Sequence, residues 1–442
     1  MWCKSRFFCN FTARIKSKVT MKKLTTLISV CIFLFAMQGC NKEFFDKEKV
    51  EEILELSFHN DTIDANHTWR LMSEHNIQVT TTVADVERIE LLTADPHVSD
   101  QAELLAQQSI TSGGTITMSY SVHLAQQQLF AAAVDKNGSY YVVSFNKGDT
   151  RVSIGSDVVS ISRSQIKKHN RQEVYYCFCN GYPQPSVTWD FNDLVLRLSR
   201  QVLDNYTLRI YVTLAAVGTT TQEAAALRLV GIGYDEIESL TCVDDKRFST
   251  NEKYGRNIIT QTDDLLRGRN GEAVINLFDD AHMAMSPRGI DQTGQVMRLY
   301  YNVSKSMEGE YFIRNEVTVA YDIRFRQSGV VDDVTYDKLD PFMVYGYNGA
   351  IWEIHKYAYK FDEVLFQYYG GNPFNYDTGY TWALEIPYSW FRYPLEGNAI
   401  GGYQKGILSG AYRDRGHSFG QWAAHRDQSV DWYLYPMNNL VY

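Results

Sequence analysis

The sequence predicts a mostly β protein, a small N-terminal antiparallel sandwich followed by a larger jelly-roll-like β-sandwich domain. Three observations carry this. Short runs rich in Val, Ile, Thr and Tyr alternate with period two along most of the chain. There is no βαβ rhythm and no Gly-rich strand–helix turn, so a parallel doubly wound sheet is excluded. Tyr (30) and Phe (22) are abundant while Pro (9) is scarce, which suits packed β-structure rather than disorder.

The elements follow in chain order. Residues 1–20 fit no part of a leader and read as an upstream mis-start, with Met21 as the start. Met21-Lys22-Lys23 then opens a basic stretch, and Leu24 to Met37 is almost wholly apolar. That length is short for a bilayer span and suits a signal-peptide core. It ends in Met37-Gln38-Gly39-Cys40, which resembles the lipobox of bacterial lipoproteins. Cleavage makes 21–39 the signal peptide and Cys40 the lipidated first residue, anchored in a lipid bilayer by acyl chains. Residues 40–66 form a charged tether with a helical stretch near Val50 to Leu56. The tether resembles the export tag of Bacteroidetes surface lipoproteins, which implies the outer membrane with the body facing the exterior.

Charge narrows the partners. The leader holds seven Lys/Arg and no acid, so the mature chain carries 36 basic against 52 acidic residues. A field of that sign repels nucleic acid and suits divalent cations or neutral partners. Three cysteines follow Cys40: Cys177, Cys179 and Cys242. They allow a bridge from Cys242 to either of the others, or three buried thiols.

The small sandwich is expected over 67–155. Its strands are Ile77–Val83, Val86–Thr93, Ile116–Val122, Leu129–Val134 and Tyr140–Phe145, with a short helix at Gln101–Gln108. Asp135-Lys136-Asn137-Gly138 between the last two strands is a hairpin-turn signal. Residues 156–185 read as a linker with a basic run at Ser162 to Arg171, closed by Gly181-Tyr182-Pro183-Gln184-Pro185. Residues 186–442 form the larger β domain. Its strands are Leu194–Leu198, Tyr206–Ala216, Ala226–Ile232, Val274–Phe278, Val296–Val303, Glu316–Phe325, Phe342–Tyr345 and Tyr380–Ile386.

Several segments of this region stand out. Trp189-Asp190-Phe191-Asn192-Asp193-Leu194-Val195 is an acidic box running into a strand. Trp382-Ala383-Leu384-Glu385-Ile386-Pro387, Tyr393-Pro394-Leu395-Glu396, Phe419-Gly420-Gln421-Trp422-Ala423 and Asp431-Trp432-Tyr433 follow in that order, and Asp64-Ala65-Asn66-His67-Thr68-Trp69 precedes the small sandwich. Taken together, they resemble the LruC-domain family of bacterial lipoproteins over roughly residues 186–442. That family has no established activity, so the resemblance implies location and fold rather than chemistry.

Asp190, Asn192 and Asp193 offer three oxygen-bearing side chains within four residues. Two readings stay open: turn chemistry, in which Asp and Asn side chains hold nearby backbone N–H groups, and a calcium site, which needs six to eight oxygens. Carboxylates from distant loops would complete the shell, from Asp235 and Glu236, Asp244 and Asp245, Asp279 and Asp280, or Asp332 and Asp333. The spacing is not that of an EF-hand loop.

No G-x-S-x-G elbow, H-E-x-x-H pair or phosphate-binding loop is present, so no catalytic residue is assigned and an enzyme is not expected. Glu353 and His355 share a strand face and read as a salt-bridged or solvated pair. Trp382 alternates with Leu384 and Ile386 and belongs to the core. Trp390 and Tyr393 flank the Pro394 loop and are the aromatics best placed to meet a sugar ring. The expected function is a non-catalytic surface binding or adhesion lipoprotein, stabilised by calcium, whose partners are glycans or host and cell-surface proteins. The alternatives are a surface glycan-processing hydrolase and a structural envelope or pilus-like subunit.

Overall fold

The structure of the chain, a computed structural model, describes residues 63–442 apart from 111–112, 181–188, 249–262, 269, 286–297, 305–314, 348–349, 357–380, 402, 405–406, 409 and 415. The whole leader, Cys40 and the helical stretch expected at Val50–Leu56 lie outside the described residues. Among the described residues no helix is long and apolar enough to cross a membrane.

The chain is mostly β, as its alternation predicts. The first nine strands are β1 Met72–Thr81, β2 Val86–Leu92, β3 Glu103–Ser109, β4 Thr115–His123, β5 Gln128–Asp135, β6 Tyr140–Asn146, β7 Arg151–Ile154, β8 Ser160–Ile161 and β9 Asn170–Arg171. They form a three-stranded sheet, β4-β1-β7, and a six-stranded sheet, β8-β6-β5-β2-β3-β9. The inward set of one sheet (Ile77, Val79, Tyr120, Val122) packs with that of the other (Ile89, Leu91, Leu129, Ala131, Ala133, Phe145) in one core. This is a sandwich, because each period-two strand has one apolar face to bury.

Two details differ from the sequence reading. The segment expected as a helix at Gln101–Gln108 is strand β3, which pairs antiparallel with β2 and turns Glu103 and Leu105 inward with period two. The small sandwich is also not purely antiparallel, since β7 joins β1 and β9 joins β3 in parallel. The expected hairpin forms at Asp135–Gly138. Gly138 has a φ of +79°, which glycine adopts without strain, and Asp135 Oδ1 accepts from the N–H of Asn137 and Ser139.

The larger domain comprises β10 Val174–Phe178, β11 Leu194–Val202, β12 Thr207–Val217, β13 Glu223–Gly233, β14 Ile237–Cys242, β15 Leu265–Arg267, β16 Glu272–Phe278, β17 Val317–Phe325, β18 Leu339–Tyr347, β19 Ala350–Ile354 and β20 Ala383–Ile386. Its sheets run β14-β17-β12-β11-β10-β20 and β15-β16-β13-β18-β19. From β12 to β20 the chain changes sheet at six of the eight connections between these strands, the exceptions being the antiparallel neighbours β15–β16 and β18–β19, as a β-sandwich allows. The stretch read as a linker contributes β8, β9 and β10, and β10 is central enough that all five of its residues are buried. Within the expected strand at 296–303, the described part holds a bridge between Val217 and Tyr301.

The three described cysteines are buried and none is in a disulfide. Cys177 lies on β10 and Cys242 on β14, four strand spacings apart in one sheet. At about 4.8 Å per spacing that is roughly 19 Å, well beyond the reach of a bridge.

The C-terminus closes the molecule. Phe419, Trp422 and Trp432 are fully buried; Phe419 meets both indoles edge-on at 5.0–5.8 Å, and the two indoles pack tilted at 5.8 Å. The opening segment lands on this cluster: the Asp64 N–H donates to the Ala423 carbonyl (3.0 Å), His67 Nε2 bonds the Trp422 carbonyl (2.9 Å), and the Trp69 ring meets Trp422 at 5.5 Å. Segments more than 350 residues apart in sequence thereby form one aromatic core.

Candidate metal centre

Asp190, Asn192 and Asp193 are brought to one point by the turn into β11. Phe191, between them, sits in the left-handed region at φ +52°, a costly conformation for an aromatic residue. Its ring is fully buried, so packing holds the turn. The box is tied to three other segments. The Gly397 N–H donates to Asp190 Oδ2 (3.0 Å), and Asn192 Nδ2 donates to the Pro394 carbonyl (3.1 Å). The Asn180 N–H, just past β10, donates to Asp193 Oδ2 (2.8 Å), while its side-chain amide donates to Glu223 Oε1 (2.7 Å) and Thr219 Oγ1 (2.8 Å). The Gly218 N–H donates to the Asp193 carbonyl (2.9 Å). Gly218 is dictated by space: a Cβ there would stand 2.6 Å from the Asn192 carbonyl oxygen and 2.9 Å from its carbon, besides striking the Asn192 side chain.

The result is a cluster of carboxylates. A ligating atom of Asp190, one of Asp193 and the Cys179 sulfur all lie within 4.8 Å of one another. Burial lifts Asp190 to about 7, against the Gly397 N–H that lowers it. Burial, then Asp190 and Glu223, hold Asp193 well above the usual carboxylate range. Glu223, fully buried, is pushed to about 8, first by burial and then by Asp280. Glu396, on the solvent side, is raised to about 8 by desolvation and by Asp190 and Asp193. Like charges this close cannot all ionise without a counter-charge. Two buried oxygens, Asn192 Oδ1 and Glu223 Oε2, have no hydrogen-bond partner.

This donor set fits a hard divalent cation, being rich in oxygens and incompletely satisfied. Cys179 is the soft exception; its thiol hydrogen-bonds Asp193.

The structure also corrects the expected shell. None of the distant pairs joins Asp190 and Asp193. Asp235 pairs with Arg267, and Asp280 with Arg298 and His282. Glu223 and Glu396 take that place. Glu396 closes the Tyr393–Glu396 motif and precedes a glycine of positive φ, a usable signal. Glu223 had only a weak one, a lone carboxylate heading an Ala-rich buried strand.

Of the two aromatics assigned to sugar binding, Trp390 is exposed (39 %). Tyr393 is not: it is buried (4 %) and stacks on Tyr442 at 5.5 Å, because the tail folds back and the Tyr442 N–H donates to the Tyr393 carbonyl. Trp382, Leu384 and Ile386 are core, as their alternation predicts. Glu353 and His355 form a buried ionic pair, with Asp340 as a third member that the sequence reading missed. His355 Nδ1 is 2.7 Å from Asp340 and Nε2 is 3.2 Å from Glu353.

Comparison with known proteins fits this architecture. The pattern of a family described as a domain of unknown function (DUF4842) matches residues 206–433, just over half of the chain. The chain belongs to the DUF4842 family. The DUF4842 match begins at β12 and ends in the aromatic tail, so it spans the alternating strands, Glu223 and Glu396. A crystal structure of a candidate lipoprotein from Bacteroides ovatus shares the fold, with a TM-score of 0.52 at 13% identity over 81% of this chain and 99% of that one. No curated protein matches the chain.

Proposed function

We propose that this DUF4842 protein is a lipid-anchored outer-membrane lipoprotein of the LruC-domain type, facing the cell exterior. In this reading it is a non-catalytic binding or adhesion module whose larger sandwich is stapled by calcium. The cluster of Asp190, Asn192, Asp193, Glu223 and Glu396 carries the calcium reading. It joins four segments of the chain, is largely buried, and holds more negative charge than burial tolerates. A divalent cation there would neutralise the carboxylates and cross-link the β11 turn, the end of β10, the β12–β13 connection and the 394–400 loop. Such a bond acts on stability and not on a substrate. The anchor rests on the lipobox at Cys40, and the lipoprotein description of the structural neighbour supports it.

The test is a thermal melt of the chain from Asn41 onward in EDTA, then with calcium, magnesium or zinc. At 1 mM calcium and a dissociation constant of about 10 μM, mass action gives about 2.7 kcal/mol, or roughly 5–10 °C for a domain of this size. Asp190→Ala with Asp193→Ala abolishes the rise. A flat melt retires the cation, and a rise with zinc alone makes Cys179 a ligand and removes calcium. Loss of palmitate labelling in Cys40→Ala and protease shaving of intact cells check the anchor and its face.

A further inference from the structure

The basic run of residues 163–171 is the feature that the proposed function leaves unused. It connects β8, at one edge of the six-stranded sheet, to β9, at the other, and so crosses the outer face of that sheet. Ile161 and Ile166 pack down onto Leu92, Ala132, Val134 and Tyr140. Arg163, Lys167 and Lys168 are left exposed to solvent. Arg163 lies across the hairpin turn, where a Cβ on Gly138 would meet its side chain at 3.1 Å, next to exposed Lys136. Arg171 is held with its guanidinium 3.9 Å over the Tyr211 ring.

These cations line two open clefts. One, of 510 Å³, contains Lys136, Arg163, Lys167 and Lys168, together with Arg88, which is paired with Glu87 and with Glu90 behind the cleft. The other, of 400 Å³, contains Lys168, Arg171, Glu173, Ser389 and Trp390. The clefts abut, since Lys168 and His169 line both. Among the described residues Lys136, Arg163 and Lys168 form no salt bridge, and Arg171 is attracted only by Glu173, itself bridged to Arg197, in a chain of net charge −9. A row in which cations outnumber carboxylates, on an acidic protein, is a local field aimed at an anion. The exposed indole of Trp390 at one end, with the Ser389 hydroxyl and the Asn170 amide beside it, adds the flat apolar face and polar groups that a pyranose ring meets.

We propose that this groove binds an anionic oligosaccharide, carrying uronate or sulfate groups, with the cations on its acidic groups and Trp390 against a sugar ring. The proposal rests on the reading of the protein as a binding module and names its ligand class; it is independent of the cation cluster. A nucleic acid is disfavoured by the net charge, and a bilayer by shape, because the charges sit in concave clefts that a flat surface does not enter.

The test is calorimetry on the chain from Asn41 onward at low salt. The probes are a heparin-derived tetrasaccharide, oligogalacturonate, a neutral cello-oligosaccharide, inorganic sulfate, and phosphatidylglycerol vesicles. The expected result is salt-sensitive binding of at least one acidic oligosaccharide. It weakens at least tenfold in Lys168→Glu/Arg171→Glu and again in Trp390→Ala, while both variants melt like the parent. Plain ion exchange is exposed by Trp390→Ala with unchanged affinity, which overturns the sugar assignment. Preference for vesicles or for sulfate alone overturns it as well. Binding of the neutral oligosaccharide alone overturns the ligand class but leaves the binding-module reading standing, whereas no binding to any probe counts against both. The calcium melt is unaffected by either result.

Discussion

His355 offers the sharpest test of the larger sandwich. Its imidazole, Asp340 and Glu353 are all fully buried, and Phe342 stacks on the ring at 4.4 Å. Burial alone would depress the imidazole, but Asp340, followed by Glu353, outweighs it and lifts His355 to about 9. The ring is therefore a cation between two carboxylates at neutral pH. His355→Gln removes that cation and leaves buried charge uncompensated, which costs about 3–5 kcal/mol. The pH dependence follows from the direction of the shift. The folded chain holds the proton more tightly than the unfolded chain, so the stabilisation is complete below pH 6.5. It declines as pH rises and is gone above about 9. At about 1.4 kcal/mol per pH unit, the rise from 6.5 to about 9 corresponds to roughly 3 kcal/mol. Guanidinium unfolding followed by tryptophan fluorescence from pH 6 to 10 measures it in parent and variant. The gap between them should narrow by that amount across the window. A variant within 1 kcal/mol of the parent at pH 7, or a gap independent of pH, would falsify the buried ion triad.

Three further outcomes are expected. Gly218→Ala drives a Cβ into the Asn192 backbone, costs about 1–3 kcal/mol as overpacking does, and removes the calcium-induced rise in melting temperature; a rise of parental size in the variant sinks the close packing of the box. Burial raises the Cys177 and Cys242 thiols, so Ellman's reagent titrates neither in the folded chain and all three thiols of the Asn41–Tyr442 chain after denaturation; fewer than three reveals a disulfide. His67 is depressed to about 4 by burial against Trp422, so the chain loses stability as pH falls from 6.5 towards 4, and His67→Gln flattens that limb. Parallel acid limbs in the two proteins would show that His67 is not the group that titrates.

Much of the fold was legible because it depends on local pattern. Strands such as β12 and β17 have one face to bury, and their alternation shows it directly. The hairpin at Asp135–Gly138 was legible for the same reason, since its turn demands a positive φ that Asn-Gly supplies. What failed was non-local. Residues 103–109 have helix-tolerant composition, and only the open edge of β2 makes them a strand. Tyr393 sits in a Pro-containing loop and looks exposed until the last residue of the chain covers it. The box itself was readable as three oxygens, but Glu223 and Glu396 reach it only through sheet order and the 394–400 loop, neither of which a spacing rule encodes.

The same non-local closure explains why box, loop and tail occur together. The Pro394–Ile400 loop touches the box at Asn192, Asp190 and Trp189, and it is held in turn by the tail, through the Leu395 N–H on the Leu440 carbonyl and the Tyr442 N–H on the Tyr393 carbonyl. The tail also carries Trp422, on which the opening segment at Asp64–Trp69 docks, and Trp432, which packs against Trp422. The segment at Asp64–Trp69, the acidic box and the C-terminal tail are therefore joined by one chain of contacts around the larger sandwich. A cation at the box would fix the loop, the loop would hold the tail, and the tail would seat the segment at Asp64–Trp69. Removing Trp432 should then weaken calcium binding from a distance. Trp432→Ala, at the usual 3–5 kcal/mol for deleting a buried tryptophan, should lower both the melting temperature in EDTA and the further rise that calcium gives. If it lowers the first and leaves the second whole, the tail and the box are separate devices.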